Sequence, residues 1–185
     1  MVWLIVILVV VAIVVIALVA LYNRFVRLRN RVDNAWAQIE VQLKRRWDLI
    51  PNLVEAVKGY ASHERETFQN VTEARAAAQN AKTPAESAQA EGLLGAALGR
   101  LFAVAEAYPE LQADENFRQL QGTLEDTENK VAVSRQVYND TVLTFNNAIQ
   151  TFPGVLLAGP FGFSKREFFD VADDAQREAP RVAFS

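Results

Sequence analysis

The residues that could do chemistry in this 185-residue chain are few, and their spacing works against each candidate reaction. His63-Glu64 opens like a zinc-peptidase helix, in which two histidines four apart hold the metal and the glutamate activates water. Position 67 is Thr, however, His63 is the only histidine, and the chain has no Cys to supply another ligand. The same counts exclude a di-iron bundle needing Glu-x-x-His from each of two helices. They also exclude zinc knuckles, iron–sulfur clusters, thiol nucleophiles and disulfide frameworks. Ser62 beside His63 has no arranged acid partner and no nucleophile elbow. Gly92, Gly95 and Gly99 are not a phosphate loop, because they lie inside a helical pattern with no strand before them. Their spacing suits close approach of two helices, so they are read as an interface. Carboxylates are plentiful, but no pair is singled out as acid and base. The expectation is a protein without catalysis, cofactor, metal or small-molecule substrate.

The elements that would carry any site begin with the solvent. Val2 to Leu21 is an unbroken run without a polar side chain, about 30 Å long as a helix, which matches the hydrocarbon core of a bilayer. A cleaved secretory signal would need a basic lead, a shorter apolar stretch and small residues before the cut. No Lys or Arg precedes this run, and Leu18 stands where a small residue would be required. The run is read as a retained anchor. Arg24, Arg27, Arg29 and Arg31 follow it directly, so the positive-inside bias predicts the amino terminus outside and the bulk in the cytoplasm, on a cell (inner) membrane.

Beyond the run the sequence reads as helices throughout. Leu21, Phe25, Leu28, Val32, Ala35, Ile39 and Leu43 alternate steps of four and three, a heptad stripe that carries the anchor helix into water without a breaker. Pro51 is the first stop signal, where the helix either kinks or ends. A second helix follows with Leu53, Val57, Tyr60, Phe68 and Val71 on one face, fading by Gln79–Lys82. Thr83-Pro84-Ala85-Glu86 reads as a capping box with Pro at the first helical position. The third helix then carries Leu94, Ala97, Leu101 and Val104 to Tyr108-Pro109. Asp114 caps the fourth, whose stripe runs Phe117, Leu120, Leu124, Thr127, Val131, Ser134, Tyr138, Val142, Phe145, Ile149 and Phe152, ended by Pro153-Gly154. Short loops between long amphipathic helices argue for antiparallel neighbours. The predicted fold is all-α: an N-terminal transmembrane helix continuing into an antiparallel up-and-down four-helix bundle. Its parts are an anchor over 1–23, the bundle over 24–152, and an apolar loop with a C-terminal tail over 153–185.

Several stretches resemble the LemA family closely: Tyr22-Asn23, Arg29-Asn30-Arg31-Val32-Asp33-Asn34-Ala35-Trp36, and Val41 to Arg46 followed by Asp48-Leu49-Ile50-Pro51-Asn52-Leu53-Val54. So do Val57-Lys58-Gly59-Tyr60, His63-Glu64, Glu106-Ala107-Tyr108-Pro109, Glu115-Asn116-Phe117, Tyr138-Asn139, Phe152-Pro153 and the closing Pro180 to Phe184. These motifs are long and span essentially the whole chain. The resemblance implies a bacterial single-span membrane protein with a helical bundle, and it implies no enzymatic role. Some members of the family are associated with magnetosome membranes, which by analogy points towards membrane organisation.

Charge patterning completes the reading. Residues 24–47 carry seven basic and two acidic side chains, a net +5, against twelve basic and twenty acidic from 48 onward, a net -8. The cluster Lys44-Arg45-Arg46 lies ~36 Å beyond Leu21 on an upright helix, several Debye lengths from any headgroup. Lipid is therefore set aside, and the cluster is read as charge matching with acidic helices within the chain or between subunits, ahead of a protein partner and of nucleic acid. From Thr141 to Ser164 there is no charge at all, yet Asn, Gln, Gly and Pro interrupt the stretch too often for a second span. An up-and-down bundle would bring this loop back towards the bilayer. Leu156, Leu157, Phe161 and Phe163 are thus expected at the membrane or at a subunit interface, the alternative being a loop folded over its own bundle. The function expected is a self-associating scaffold, a homo-oligomer with possible other membrane proteins as partners. The rival is a monomeric adaptor or regulator of one membrane protein, such as a protease or transporter.

Overall fold

The computed structural model describes residues 1–170. They form α1 (Val2–Lys58), α2 (Arg65–Asn80), α3 (Pro84–Glu106), the short α4 (Pro109–Ala113), α5 (Glu115–Gln150) and the short α6 (Gly154–Ala158). No strand occurs among the described residues, and the fold is the all-α one expected. The motif at Pro180–Phe184 and the end of the C-terminal tail lie outside the described residues.

Pro51 neither ends nor divides the first helix, since α1 runs through it to Lys58. Proline removes the N–H that would bond the carbonyl four residues back and is normally costly in a helix interior. Here that carbonyl belongs to Trp47, and Arg75 Nε on α2 donates to it at 2.8 Å. The neighbouring helix supplies the donor that proline lacks. The second helix consequently starts at Arg65, later than expected. Tyr60, placed on its buried face by the sequence pattern, lies in the turn between α1 and α2 and is exposed, while Ala61 is buried there instead. His63 also sits in that turn.

The sequence signals at the helix starts are met by geometry. Glu86 N–H donates to Thr83 Oγ1 at 3.2 Å, and Thr83 N–H donates to Glu86 Oε2 at 3.3 Å. Asp114 Oδ1 accepts from Phe117 N–H at 2.9 Å and caps α5. Each of these contacts satisfies a backbone donor that the first turn leaves free.

By its contacts the chain divides into two units. One comprises Val41–Ala132 together with residues from Phe168. Its core joins Ile50, Leu53 and Val57 of α1, Phe68 and Val71 of α2, Leu94, Leu98 and Leu101 of α3, and Phe117 and Leu124 of α5, with Leu111 of α4 beneath. Turns of a few residues make successive helices antiparallel neighbours. This unit is a four-helix bundle.

The other unit comprises Met1–Glu40 and Val133–Glu167. Phe25, Leu28, Val32, Ala35 and Ile39 of α1 are buried, as are Tyr138, Val142, Phe145 and Ile149 of α5. Trp36 meets Tyr138, and nearer the amino terminus Phe25 lies beside Gly154, so the two helices run antiparallel. Gly154 is required at that approach: a Cβ there would strike the Ala148 carbonyl oxygen and come within 3.0 Å of the Phe25 ring. Phe152, expected on the buried stripe, lies past the end of α5 and is 80% exposed. The side chains of residues 2–17 are all exposed within the chain. Among the described residues this is the one helix long and apolar enough to cross a membrane.

Candidate functional site

Two clusters stand out, one in each unit. In the four-helix bundle, Arg46 turns inward from α1 and is only 5% exposed. Its Nη1 donates to Glu91 Oε2 of α3 at 2.6 Å, and its Nη2 donates to Glu128 Oε1 of α5 at 2.5 Å. Trp47 Nε1 donates to the second oxygen of Glu91 at 2.6 Å, and Arg75 joins α2 to the same turn through the Trp47 carbonyl. Four helices are thus tied at one level by charge-assisted bonds, which are the shorter and stronger kind. Burial pushes the Glu91 carboxyl above the usual carboxylate range, and the Arg46 charge and the bonds from Trp47 and Arg46 offset this in part. The cluster holds one cation between two carboxylates, Glu91 buried and Glu128 half exposed. What it can do is fix the register of the helices, because a buried charge left unpaired is strongly destabilising.

The three basic residues read as one cluster in the sequence separate in space. Lys44 makes an exposed bond to Asp48 on its own helix at 3.2 Å, Arg45 faces solvent, and Arg46 alone matches the acidic helices. Glu91 escaped the sequence reading. A signal for it existed: it is the one charge on α3 between Glu86 and Arg100, in register with Ser87, Leu94 and Leu98 on the buried face.

In the other unit the carboxyl-terminal segment lies against the start of the paired helices. Phe163, 8% exposed, sits among Tyr22, Phe25 and Phe145 at ring-centroid separations of 5.8, 5.2 and 6.4 Å, edge to face. The Arg29 guanidinium lies 5.4 Å from its centroid, a favourable cation–π distance. Gly162 supplies the left-handed backbone, φ +72°, that turns the chain into this position. Asn146 then pins the extended stretch as a surrogate backbone: its Oδ1 accepts from Arg166 N–H and its Nδ2 donates to the Arg166 carbonyl, both at 2.9 Å. Tyr138 Oη donates to the Glu167 carbonyl at 2.8 Å, and burial pushes its phenol up to about 12, with the Arg166 charge opposing. Arg166 also reaches Asp33 at 2.9 Å.

The apolar loop singled out from the sequence is therefore split. Phe163 is covered by its own chain and Leu157 is half-buried, whereas Leu156 is 63% and Phe161 43% exposed. Phe161 packs edge-on against Tyr22 at 5.3 Å, immediately after the apolar run. Gly92 and Gly95 are half-buried on α3 and Gly99 is exposed; a Cβ at Gly95 or Gly99 would meet nothing within 4 Å. Arg24, Arg27 and Arg31 are exposed. Among the described residues no three His, Asp or Glu come together as a metal-binding group.

The chain is similar to several known proteins. The magnetosome protein MamQ of Magnetospirillum gryphiswaldense is 28% identical over 174 residues, covering 80% of this chain and 64% of that protein. MamQ 2 of Paramagnetospirillum magneticum is 30% identical over the same length and shares. Protein LemA of Metamycoplasma hominis is 26% identical over 131 residues, 70% of this chain and 60% of that protein. The chain thus spans just under two thirds of the relatives it matches. The family model for LemA matches residues 35–184, from beyond the middle of α1 onward, and the chain belongs to the LemA family.

Proposed function

We propose that this protein is a membrane-anchored helical scaffold without catalysis, which self-associates and presents its four-helix bundle on the cytoplasmic side. The observation that carries the reading is α1 itself: one helix holds an apolar run of bilayer length, exposed from Val2 to Ala17, and continues without a break into the bundle core. Arg24, Arg27, Arg29 and Arg31 directly after the run favour retention of that end in the cytoplasm, with the amino-terminal end of the span outside. Exposed Phe161 packs against Tyr22 at the end of the run, and Leu156 of the same loop is exposed as well. Side chains of that kind are covered at a headgroup boundary or between neighbouring anchors, and exposed patches of them are unfavourable in open water. On α3, which carries Gly92, Gly95 and Gly99, a Cβ at Gly95 or Gly99 would meet nothing within 4 Å, which leaves room there for another helix to approach. The relatives named for magnetosomes suit a role in membrane organisation.

A single Cys introduced near residue 80 of this Cys-free chain tests the orientation. In intact cells it should resist membrane-impermeant thiol reagents; labelling from outside overturns the assignment. Self-association is tested by crosslinking in membranes at native expression. Recovery of monomer alone refutes it and favours the monomeric adaptor.

A further inference from the structure

We infer that Arg24 and Arg27, with Arg31 at the margin, form a docking stripe for the headgroups of anionic phospholipids. The inference rests on the membrane-anchored reading and goes beyond it by naming the lipid chemistry. Spacings of three and four put these residues on one face of α1. All three are exposed, and none makes an ion pair or cation–π contact within the described residues. Two other arginines of the same unit are committed: Arg29 lies over Phe163, and Arg166 holds Asp33.

Counter-charges are missing where they would be needed. No acidic residue precedes Asp33, and none occurs from Thr141 to Ser164, the part of the unit that lies beside the first turns after the apolar run. Asp140 lines a groove with Arg31, Leu28, Val137, Thr141 and Thr144, so Arg31 is partly compensated and Arg24 and Arg27 are not. Along the helix, Arg24 lies ~4.5 Å and Arg27 ~9 Å beyond Leu21, within about one Debye length of the surface, while Arg31 at ~15 Å falls outside it. Lys44 and Arg45, several turns farther on, are too distant to contribute. A row of unpaired guanidiniums at headgroup depth is complementary to phosphate, which a guanidinium binds through paired donors, and the anionic lipid must supply the charge that the protein does not.

The test uses the full chain in phosphatidylcholine vesicles, with and without one part in five of phosphatidylglycerol. Spin-labelled phosphatidylglycerol and phosphatidylcholine report which lipid is immobilised by the protein. We expect phosphatidylglycerol to be preferred by roughly three- to tenfold. The preference should collapse towards unity in Arg24→Gln/Arg27→Gln and at about 1 M salt, and persist in Lys44→Gln/Arg45→Gln. Equal immobilisation by the wild type, or a preference surviving in Arg24→Gln/Arg27→Gln, overturns the stripe. Flotation with pure phosphatidylcholine vesicles reads the anchor separately. Failure to float refutes the anchored reading itself, whereas flotation with no lipid preference refutes the stripe alone.

Discussion

The bond from Arg75 to the Trp47 carbonyl makes a prediction that only a double-mutant cycle can test. In the wild type Pro51 cannot donate to that carbonyl, so Arg75 is its protein donor. Removing the guanidinium in Arg75→Met keeps much of the apolar stem but leaves a part-buried carbonyl without it. A hydrogen bond involving a charged group contributes about 1.5–3 kcal/mol; Arg75 is half-buried, so the lower end, about 1.5 kcal/mol, is appropriate. At about 2–4 °C per kcal/mol for a chain of this size, the melting temperature should fall by about 3–6 °C. In Pro51→Ala the helix regains its own N–H to the Trp47 carbonyl. Arg75→Met should then cost about 0.5 kcal/mol, leaving a coupling energy of about 1 kcal/mol. The assay is thermal unfolding of the four full-length proteins in one mild detergent, followed by circular dichroism. An equal cost of Arg75→Met in both backgrounds refutes the reasoning, because Arg75 would then act through packing alone.

Three further expectations follow from the two clusters. Because the folded state holds the Glu91 proton more tightly than an unfolded chain does, the contribution of this group to stability is greatest in acid and declines as pH rises above about 4.5. The stability of the wild type relative to Glu91→Gln should therefore fall from pH 4.5 towards neutrality, and a pH series of melts in which it rises would contradict the assignment. Asn146→Asp keeps the acceptor for Arg166 N–H but loses the donor to its carbonyl, and should cost about 1–3 kcal/mol with faster hydrogen exchange at Phe163–Glu167; unchanged exchange there would show that the clamp is unimportant. Tyr138→Phe retains the contact with Trp36 and loses only the bond to Glu167, so a loss of about 1 kcal/mol is expected from denaturant titration, and no change would assign the tyrosine to packing alone.

What the sequence determined by itself is whatever depends on neighbours along the chain. The apolar run is long enough to span a bilayer by composition alone. The capping box at Thr83 and Glu86 closes within one turn, Asp114 caps three residues ahead, and the stripe from Phe117 to Ile149 follows from helical period, so each was legible. Tertiary structure decided whatever depends on a partner distant in sequence. Pro51 reads as a stop because its missing donor is a local fact, and it is tolerated because Arg75 arrives from another helix. Arg45 and Arg46 are adjacent and chemically alike, yet only Arg46 points at Glu91 and Glu128, since consecutive helical positions are about 100° apart and the choice rests on which face the other helices cover. In the charge-free loop, Phe161 and Phe163 look equivalent in sequence. Phe163 is enclosed by Phe25, Phe145 and Arg29 while Phe161 stays half open, because the turn at Gly162 and the clamp by Asn146 fix which ring faces inward.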